Sequence, residues 1–203
     1  STGGTYDLLK KNNIPALEAS EITGFRDLLD GKVKTLHPEI FGGILASRTE
    51  IKELAELEER GITPIDLVVV NLYPFEEASK DVRIDISGII KYIDIGGVSL
   101  LRAASKNYFY VTPVYSPAVY KKVLADLAEN EGNTSYEMRK ELAINTFQYT
   151  SSYDSLISEY FYFKASENED EQMPEIFTVN LKKKQELRYG ENPLQKAALY
   201  ESN

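Results

Sequence analysis

The chain has 203 residues and a formal net charge of −9, with hydrophobic residues at 42% and charged residues at 27%. That length supplies a core without staples, since a domain of this size buries roughly 70% of its unfolded surface. The composition excludes a disordered chain. Cys is absent and His occurs once, which excludes disulfides, thiol catalysis and a histidine-rich metal centre and fits a reducing, cytoplasmic setting. An acidic surface argues against nucleic acid as a partner, and no apolar run reaches the roughly 20 residues of a membrane helix.

Tyr6–Lys11 predicts a short helix, Ile14–Leu17 a short strand, and Gly24–Leu29 a helical turn closed by Gly31. Residues 32–48 mix basic, small and apolar types without a period, which predicts a structured loop and a short helix. Thr49 caps a predicted helix running to Arg60, with Ile51, Leu54, Ala55 and Leu57 as its apolar stripe and Gly61 just past its end. Ile65–Leu72 is a run rich in β-branched and apolar residues that predicts a strand buried on both faces, ended by Pro74. Ile84–Tyr92 and Val98–Lys106 read as helices, and Tyr108–Val114 as a second strand. Ser116-Pro117 opens a helix to about Asn130. Thr134-x-x-Glu137 reads as a capping box opening a long helix to Phe163, with Met138, Leu142, Tyr149, Tyr153, Leu156 and Tyr160 in its stripe. Residues 166–175 are acid-rich without a base and read as a solvated linker. Ile176–Lys182 and Ala197–Tyr200 read as strand-like runs around a turn-rich loop. Strands alternating with helices predict an α/β fold with an open, largely parallel sheet flanked by helices.

Five constellations carry chemistry. Ser1-Thr2-Gly3-Gly4-Thr5 before a helix offers backbone N–H groups and hydroxyls to an oxyanion, although such a turn is more often only a turn. Lys32, Lys34, Thr35 and His37 form a basic island in an acidic chain, with His37 read as a hydrogen-bonded structural residue rather than a base. Asn71 and Tyr73 sit at the carboxyl end of the most apolar strand, where open α/β sheets collect ligands. Asp94 stands before a Gly96-Gly97 turn, and Lys106 closes the following helix. The plain reading of Lys106 is a cation at the negative helix end. The functional one is a carboxylate and an ammonium sharing one pocket, each shifting the other's pKa. Arg188-Tyr189-Gly190-Glu191-Asn192-Pro193 is dense enough in polar and turn residues to be a ligand loop.

In order, STGGT, GKVKTLHP, FGGILA, DLVVVNLYPF, IDIGGVSLLRAASKN and RYGENP closely resemble the bifunctional purine-biosynthesis family. That family joins inosine monophosphate (IMP) cyclohydrolase to phosphoribosylaminoimidazolecarboxamide (AICAR) formyltransferase. The resemblance implies a methylglyoxal-synthase-like cyclohydrolase domain over 1–165, a linker over 166–175, and the start of a second α/β domain over 176–203. It also implies that the family's first strand, helix and second strand precede Ser1 and that most of the formyltransferase follows Asn203. By position, Ser1, Gly3, Gly4 and Thr5 match the ribose-phosphate loop. Lys34 and Thr35 match the base and formyl end of the pocket, with Lys32 where the family often has Arg, a change that keeps charge but loses bidentate geometry. Asn71 and Tyr73 match the strand end, Asp94, Gly96 and Gly97 the carboxylate turn, and Lys106 the second lysine. Arg188 and Tyr189 match residues that hold AICAR on the formyltransferase side. Phe41 stands where His is common, and Leu194 stands where His usually follows RYGENP.

The implied reaction closes the ring of 5-formamidoimidazole-4-carboxamide ribotide (FAICAR) to give IMP and water. Asp94 takes or positions the amide proton, and Lys34 and Tyr73 stabilise the formyl oxygen. Lys106 holds Asp94 ionised. Ring closure within one molecule needs orientation only, so the cyclohydrolase requires no metal or cofactor. The formyltransferase takes 10-formyltetrahydrofolate as cosubstrate. The implied partners are the ribonucleotide and a second copy in a homodimer, with no nucleic acid and no membrane. Methylglyoxal synthase and a nucleotide-sensing regulatory module are the rival readings of the same fold. VKTLHP and NLYPF disfavour the first, and a sensor would need the phosphate loop without Lys34, Tyr73, Asp94 and Lys106 together.

Overall fold

The computed structural model describes residues 1–25, 28–164 and 175–202. In chain order the helices are α1 (Gly3–Lys11), α2 (Ala19–Thr23), α3 (Pro38–Leu45) and α4 (Ile51–Glu59). Strand β1 (Leu67–Val69) precedes α5 (Phe75–Ser79), α6 (Ile86–Ile89) and α7 (Gly96–Lys106). Strand β2 (Thr112–Val114), α8 (Tyr120–Glu129) and α9 (Tyr136–Phe163) come next, and a hairpin of β3 (Leu181–Leu187) and β4 (Ala197–Ser202) comes last. The acidic segment 166–175 falls almost wholly outside the described residues.

β1 and β2 pair in parallel, with Leu67 opposite Thr112 and Val69 opposite Val114. The Thr112 N–H donates to the Asp66 carbonyl at 2.8 Å, and the Val70 N–H extends the ladder to the Val114 carbonyl at 2.9 Å. Pro113 has no N–H and lies between the two β2 residues that face β1, so the ladder loses nothing. α7 and α9 pack against β2 and each other. β3 and β4 form a separate antiparallel pair with a bulge between Lys183 and Gln185.

Three apolar clusters organise the core. Leu72, Phe75, Ala78, Ile89, Leu101 and Tyr153 meet beyond the end of β1. Ile44, Val68, Ala103, Ala104 and Val111 join α3 to β1 and α7. Val114, Val123, Met138 and Leu142 join β2 to α8 and α9. Two side chains fasten the carboxyl end of α3 to the rest of the core. Arg48 donates to the carbonyls of Gly43, Ala46 and Ile65, and the Asn107 amide donates to those of Ile44 and Ala46.

Several local expectations change. The Ile65–Leu72 run yields a strand of only three residues, buried on one face: Val68 is 7% exposed, but Leu67 and Val69 are 40% and 49% exposed. Among the described residues β2 is its only partner, and no layer there covers the second face. Ile14–Leu17 has no strand partner among the described residues and is irregular. Tyr108–Tyr110 turns rather than extends, because the Asn107 carbonyl accepts both the Tyr110 and Val111 N–H groups at 3.0 Å. Ser47, not Thr49, serves the start of α4: its hydroxyl accepts from the Thr49 and Glu50 N–H groups while Thr49 pairs with the Tyr110 hydroxyl. Ser135, one residue after the expected Thr134, caps α9 by accepting from the Met138 N–H, and Asp126 of α8 holds Ser135 through both its N–H and its hydroxyl. The strand-like run 176–182 gives way to β3 starting at Leu181.

Candidate functional site

The carboxyl end of β1 and the amino end of α7 meet at Asp94. Past Val70 the chain leaves the ladder, Leu72 turns into the core, and Tyr73 is left 55% exposed at the rim. Asp94 Oδ1 accepts the Gly97 N–H at 2.7 Å, and the Tyr73 backbone N–H also faces the carboxylate. A carboxylate just ahead of a helix is stabilised by the free N–H groups of the first turn and the positive end of the dipole. Burial nevertheless pushes the Asp94 carboxyl above its ordinary value, and the two backbone N–H groups only partly offset it.

The glycines are there because nothing larger fits. A Cβ on Gly97 would lie 2.5 Å from Asp94 Oδ2 and 2.9 Å from both Asp94 Cγ and Val70 Cγ1. A Cβ on Gly96 would lie 2.9 Å from Thr35 Oγ1, so the Thr35 hydroxyl reaches the same turn. The fold thus brings together Thr35, Tyr73, Asp94, Gly96 and Gly97, from three separate stretches of sequence. Asn71, two residues before Tyr73, accepts the Tyr120 hydroxyl on its Oδ1 at 3.1 Å.

Lys34 is placed next to Thr35. Its side chain folds against Gly31, whose φ of +83° brings the turn close beneath it. It lines a groove of about 330 Å³ with Phe25, Leu28, Val33, Leu36 and His37. Lys32 is exposed on the same loop. His37 has the structural role expected from sequence: it is the N-cap of α3, its Nδ1 accepting from the Glu39 N–H at 3.3 Å.

Lys106 does not join this site within the chain. It lies at the other end of α7, an eleven-residue helix, so about 15 Å of helix rise separates it from the Asp94 turn. It contributes nothing to the displaced Asp94 pKa, and the expectation that the two share a pocket is corrected. Lys106 instead lines a second groove of about 320 Å³ with Phe41, Leu45, Arg102, Ala103 and Phe147.

Gly3, Gly4 and Thr5 form the first turn of α1, and Ser1 leads into it ahead of the N-cap Thr2. The Ser1 carbonyl accepts the Ala19 N–H at 2.9 Å, α1 buries no side chain, and nothing stands within 4 Å of the Cβ positions of Gly3 and Gly4. Among the described residues no hydrogen bond joins this segment to the Asp94 turn. Arg188 and Tyr189 lie exposed where β3 ends, and the loop beyond them is closed by the Gly190 N–H donating to the Gln195 carbonyl at 2.8 Å. No group of three or more His, Asp or Glu side chains that could hold a metal occurs among the described residues. No helix there is long and apolar enough to cross a membrane.

Two aromatic neighbours of Asp94 carry no functional mark in the sequence, where patterning makes them core. The Asp94 N–H donates to the Tyr153 hydroxyl at 2.9 Å, and Tyr149 senses the Asp94 charge. Burial is the largest cause of the raised pKa of both phenols. A signal is nevertheless present: a Tyr at a core position of a helix needs a partner for its hydroxyl.

Comparison with known proteins gives two family matches. An MGS-like domain matches residues 1–99, and the AICARFT/IMPCHase bienzyme family matches residues 104–203. The bifunctional purine biosynthesis protein PurH of Bacillus subtilis (strain 168) is 48% identical over 202 residues, covering 100% of this chain and 38% of that protein. PurH of Bacillus cereus (strain AH187) is 46% identical over the same length, covering 39% of that protein. The chain therefore spans about two fifths of the length of the curated relatives it matches. The crystal structure of ForH superposes with a TM-score of 0.68 at 36% identity, covering 79% of this chain and 82% of that one.

Proposed function

The chain belongs to the AICARFT/IMPCHase bienzyme family of bifunctional purine-biosynthesis proteins, and on that premise we propose that its Asp94 turn is the seat of an IMP cyclohydrolase. The observation that carries the proposal is the Asp94 carboxylate itself. It is partly buried, held by the Gly97 N–H at 2.7 Å, raised in pKa by burial, and grouped with Tyr73 and Thr35 at the end of β1. A carboxylate whose pKa lies above the ordinary range is a stronger base when ionised, which is what a weakly acidic amide proton requires.

In this reading FAICAR binds across the end of β1. The carboxamide nitrogen attacks the formyl carbon, forming the new C–N bond and placing negative charge on the formyl oxygen. Asp94 takes the amide proton. Lys34 and Tyr73 stabilise the developing oxyanion and protonate it to a hydroxyl. The former formamide nitrogen then loses its proton and forms the ring C=N bond as the C–O bond breaks and the oxygen, given a second proton, departs as water. Thr35, Asn71, Gly96 and Gly97 line the substrate's base, and Ser1, Gly3, Gly4, Thr5 and Lys32 take its phosphate. Because both reacting groups belong to one molecule, orientation is the chief demand on the protein. The role of Lys106 in holding Asp94 ionised is withdrawn, because the length of α7 keeps the two apart.

The reading extends to the longer protein of which the relatives are examples. There the stretch from 176 opens the formyltransferase part, Arg188 and Tyr189 contact AICAR, and 10-formyltetrahydrofolate donates the formyl group. The protein is cytoplasmic and forms a homodimer through aromatic surface such as Tyr136, Phe147 and Phe163, all exposed here. FAICAR turnover to IMP by the full-length protein, lost in Asp94→Asn, tests the proposal. A nucleotide-sensing module would bind FAICAR or IMP without turnover, and that result would overturn it.

A further inference from the structure

Asp94 is held from two sides. Its carboxylate is held by the first turn of α7, through the Gly97 N–H. Its backbone is held from α9, by one side chain. The Tyr153 hydroxyl accepts the Asp94 N–H at 2.9 Å and donates to the Tyr92 carbonyl at 2.7 Å. These two groups flank Ile93, which packs into the apolar cluster at the end of β1. A single hydroxyl therefore spans the chain immediately before the carboxylate, and neither backbone group has another hydrogen-bond partner among the described residues.

The ring that carries this hydroxyl is itself fixed. Tyr153 is 7% exposed, and its ring meets that of Phe75 edge-on at 6.3 Å and 70°. Phe75 is fully buried. Tyr160, two turns further along α9, meets the same Phe75 ring at 5.7 Å and 85°. Its hydroxyl makes no hydrogen bond among the described residues. Apolar packing against Phe75 alone would be served by a phenylalanine at both positions. Burying the extra hydroxyl at 153 is unfavourable unless it is paired, and its two partners are the backbone groups that set the Asp94 turn.

We propose that Tyr153 is a positioning residue for Asp94, clamping residues 92–94 from α9 so that the carboxylate meets the reacting amide in one orientation. The inference rests on the reading of Asp94 as the ring-closure carboxylate. Tyr153 touches no reacting atom in it. Removing the hydroxyl leaves the ring packing and frees the turn. Misplacement of a reacting group by about 1 Å costs on the order of 10²-fold in rate, and the turn retains its Gly97 bond, so the loss falls short of that limit.

The test uses full-length protein, with Tyr153→Phe, Tyr160→Phe and Asp94→Asn compared in steady-state FAICAR cyclisation and Asp94 amide exchange followed by mass spectrometry or NMR. Tyr153→Phe is expected to lower kcat by about 10-fold or more while KM stays within about threefold, and to speed exchange of the Asp94 amide. Tyr160→Phe is expected to match wild type in all three quantities. Wild-type kcat in Tyr153→Phe, alongside a strong loss in Asp94→Asn, overturns the positioning role. Equal losses in Tyr153→Phe and Tyr160→Phe overturn it as well, since they report general loosening of α9. Full kcat in Asp94→Asn instead overturns the reading of Asp94 on which the inference rests. Unchanged exchange of the Asp94 amide in Tyr153→Phe refutes the clamp itself, whichever way the kinetics fall.

Discussion

Gly97→Ala is a single-methyl perturbation aimed at the Asp94 turn. The added carbon would sit 2.5 Å from Asp94 Oδ2 and 2.9 Å from Asp94 Cγ and Val70 Cγ1. Carbon contacts settle near 3.5–4.0 Å, so the neighbours must yield by about 1 Å. Val70 is tied to β2 through its N–H, which leaves the carboxylate and the first turn of α7 to move. Overpacking of this kind costs about 1–3 kcal/mol, or roughly 2–4 °C of Tm per kcal/mol at this chain length. A displacement of about 1 Å in the base predicts a loss on the order of 10²-fold in kcat. Cyclisation of saturating FAICAR, followed by absorbance and paired with a thermal melt, measures both. Gly4→Ala is the contrast: nothing stands within 4 Å of its Cβ and its φ is not positive, so Tm holds and any effect falls on KM. A folded Gly97→Ala with wild-type kcat would refute the placement of chemistry at this turn.

Two further predictions concern stability. Arg48 is largely buried and donates to three carbonyls that close α3 onto the start of β1, so Arg48→Ala is expected to cost about 2–4 kcal/mol in urea denaturation. Arg48→Lys should recover only part of this, because a point charge cannot serve the fork; full recovery would show that charge alone matters. Asp94→Asn keeps an acceptor for the Gly97 N–H and removes a charge that burial disfavours. The folded pKa of Asp94 lies above its unfolded value, so wild-type stability falls as pH rises from the ordinary carboxylate value through the folded one. Asp94→Asn should then melt at or above the wild-type temperature at pH 7, with the advantage fading as pH is lowered into the ordinary carboxylate range. A lower Tm at pH 7 that does not respond to pH would contradict this.

Local signals carried much of the architecture. The Met138–Leu142 stripe of α9, the Ser116-Pro117 start of the α8 region and the glycine-led α7 all form within a few residues of where patterning puts them. The α9 stripe continues through buried Thr146 and Thr150, which hydropathy alone does not mark as core. Strand length failed because it depends on neighbours: an eight-residue run, six of them apolar, became three in ladder once β1 had one partner. The closeness of Asp94 to Gly96 and Gly97 follows from one short stretch of sequence, whereas the approach of Thr35 to Gly96 and of Tyr153 to Asp94 depends on long-range packing. The separation of Lys106 from Asp94 was implicit in the sequence, since a helix between them sets their distance.

If Asp94 acts in the transition state of ring closure, the effect shows in kcat for FAICAR cyclisation by Asp94→Asn in the full-length protein. A fall of about 10²-fold or more is expected, with KM changed by no more than a few-fold. A normal kcat with only KM raised would make Asp94 a binding residue and contradict the mechanism.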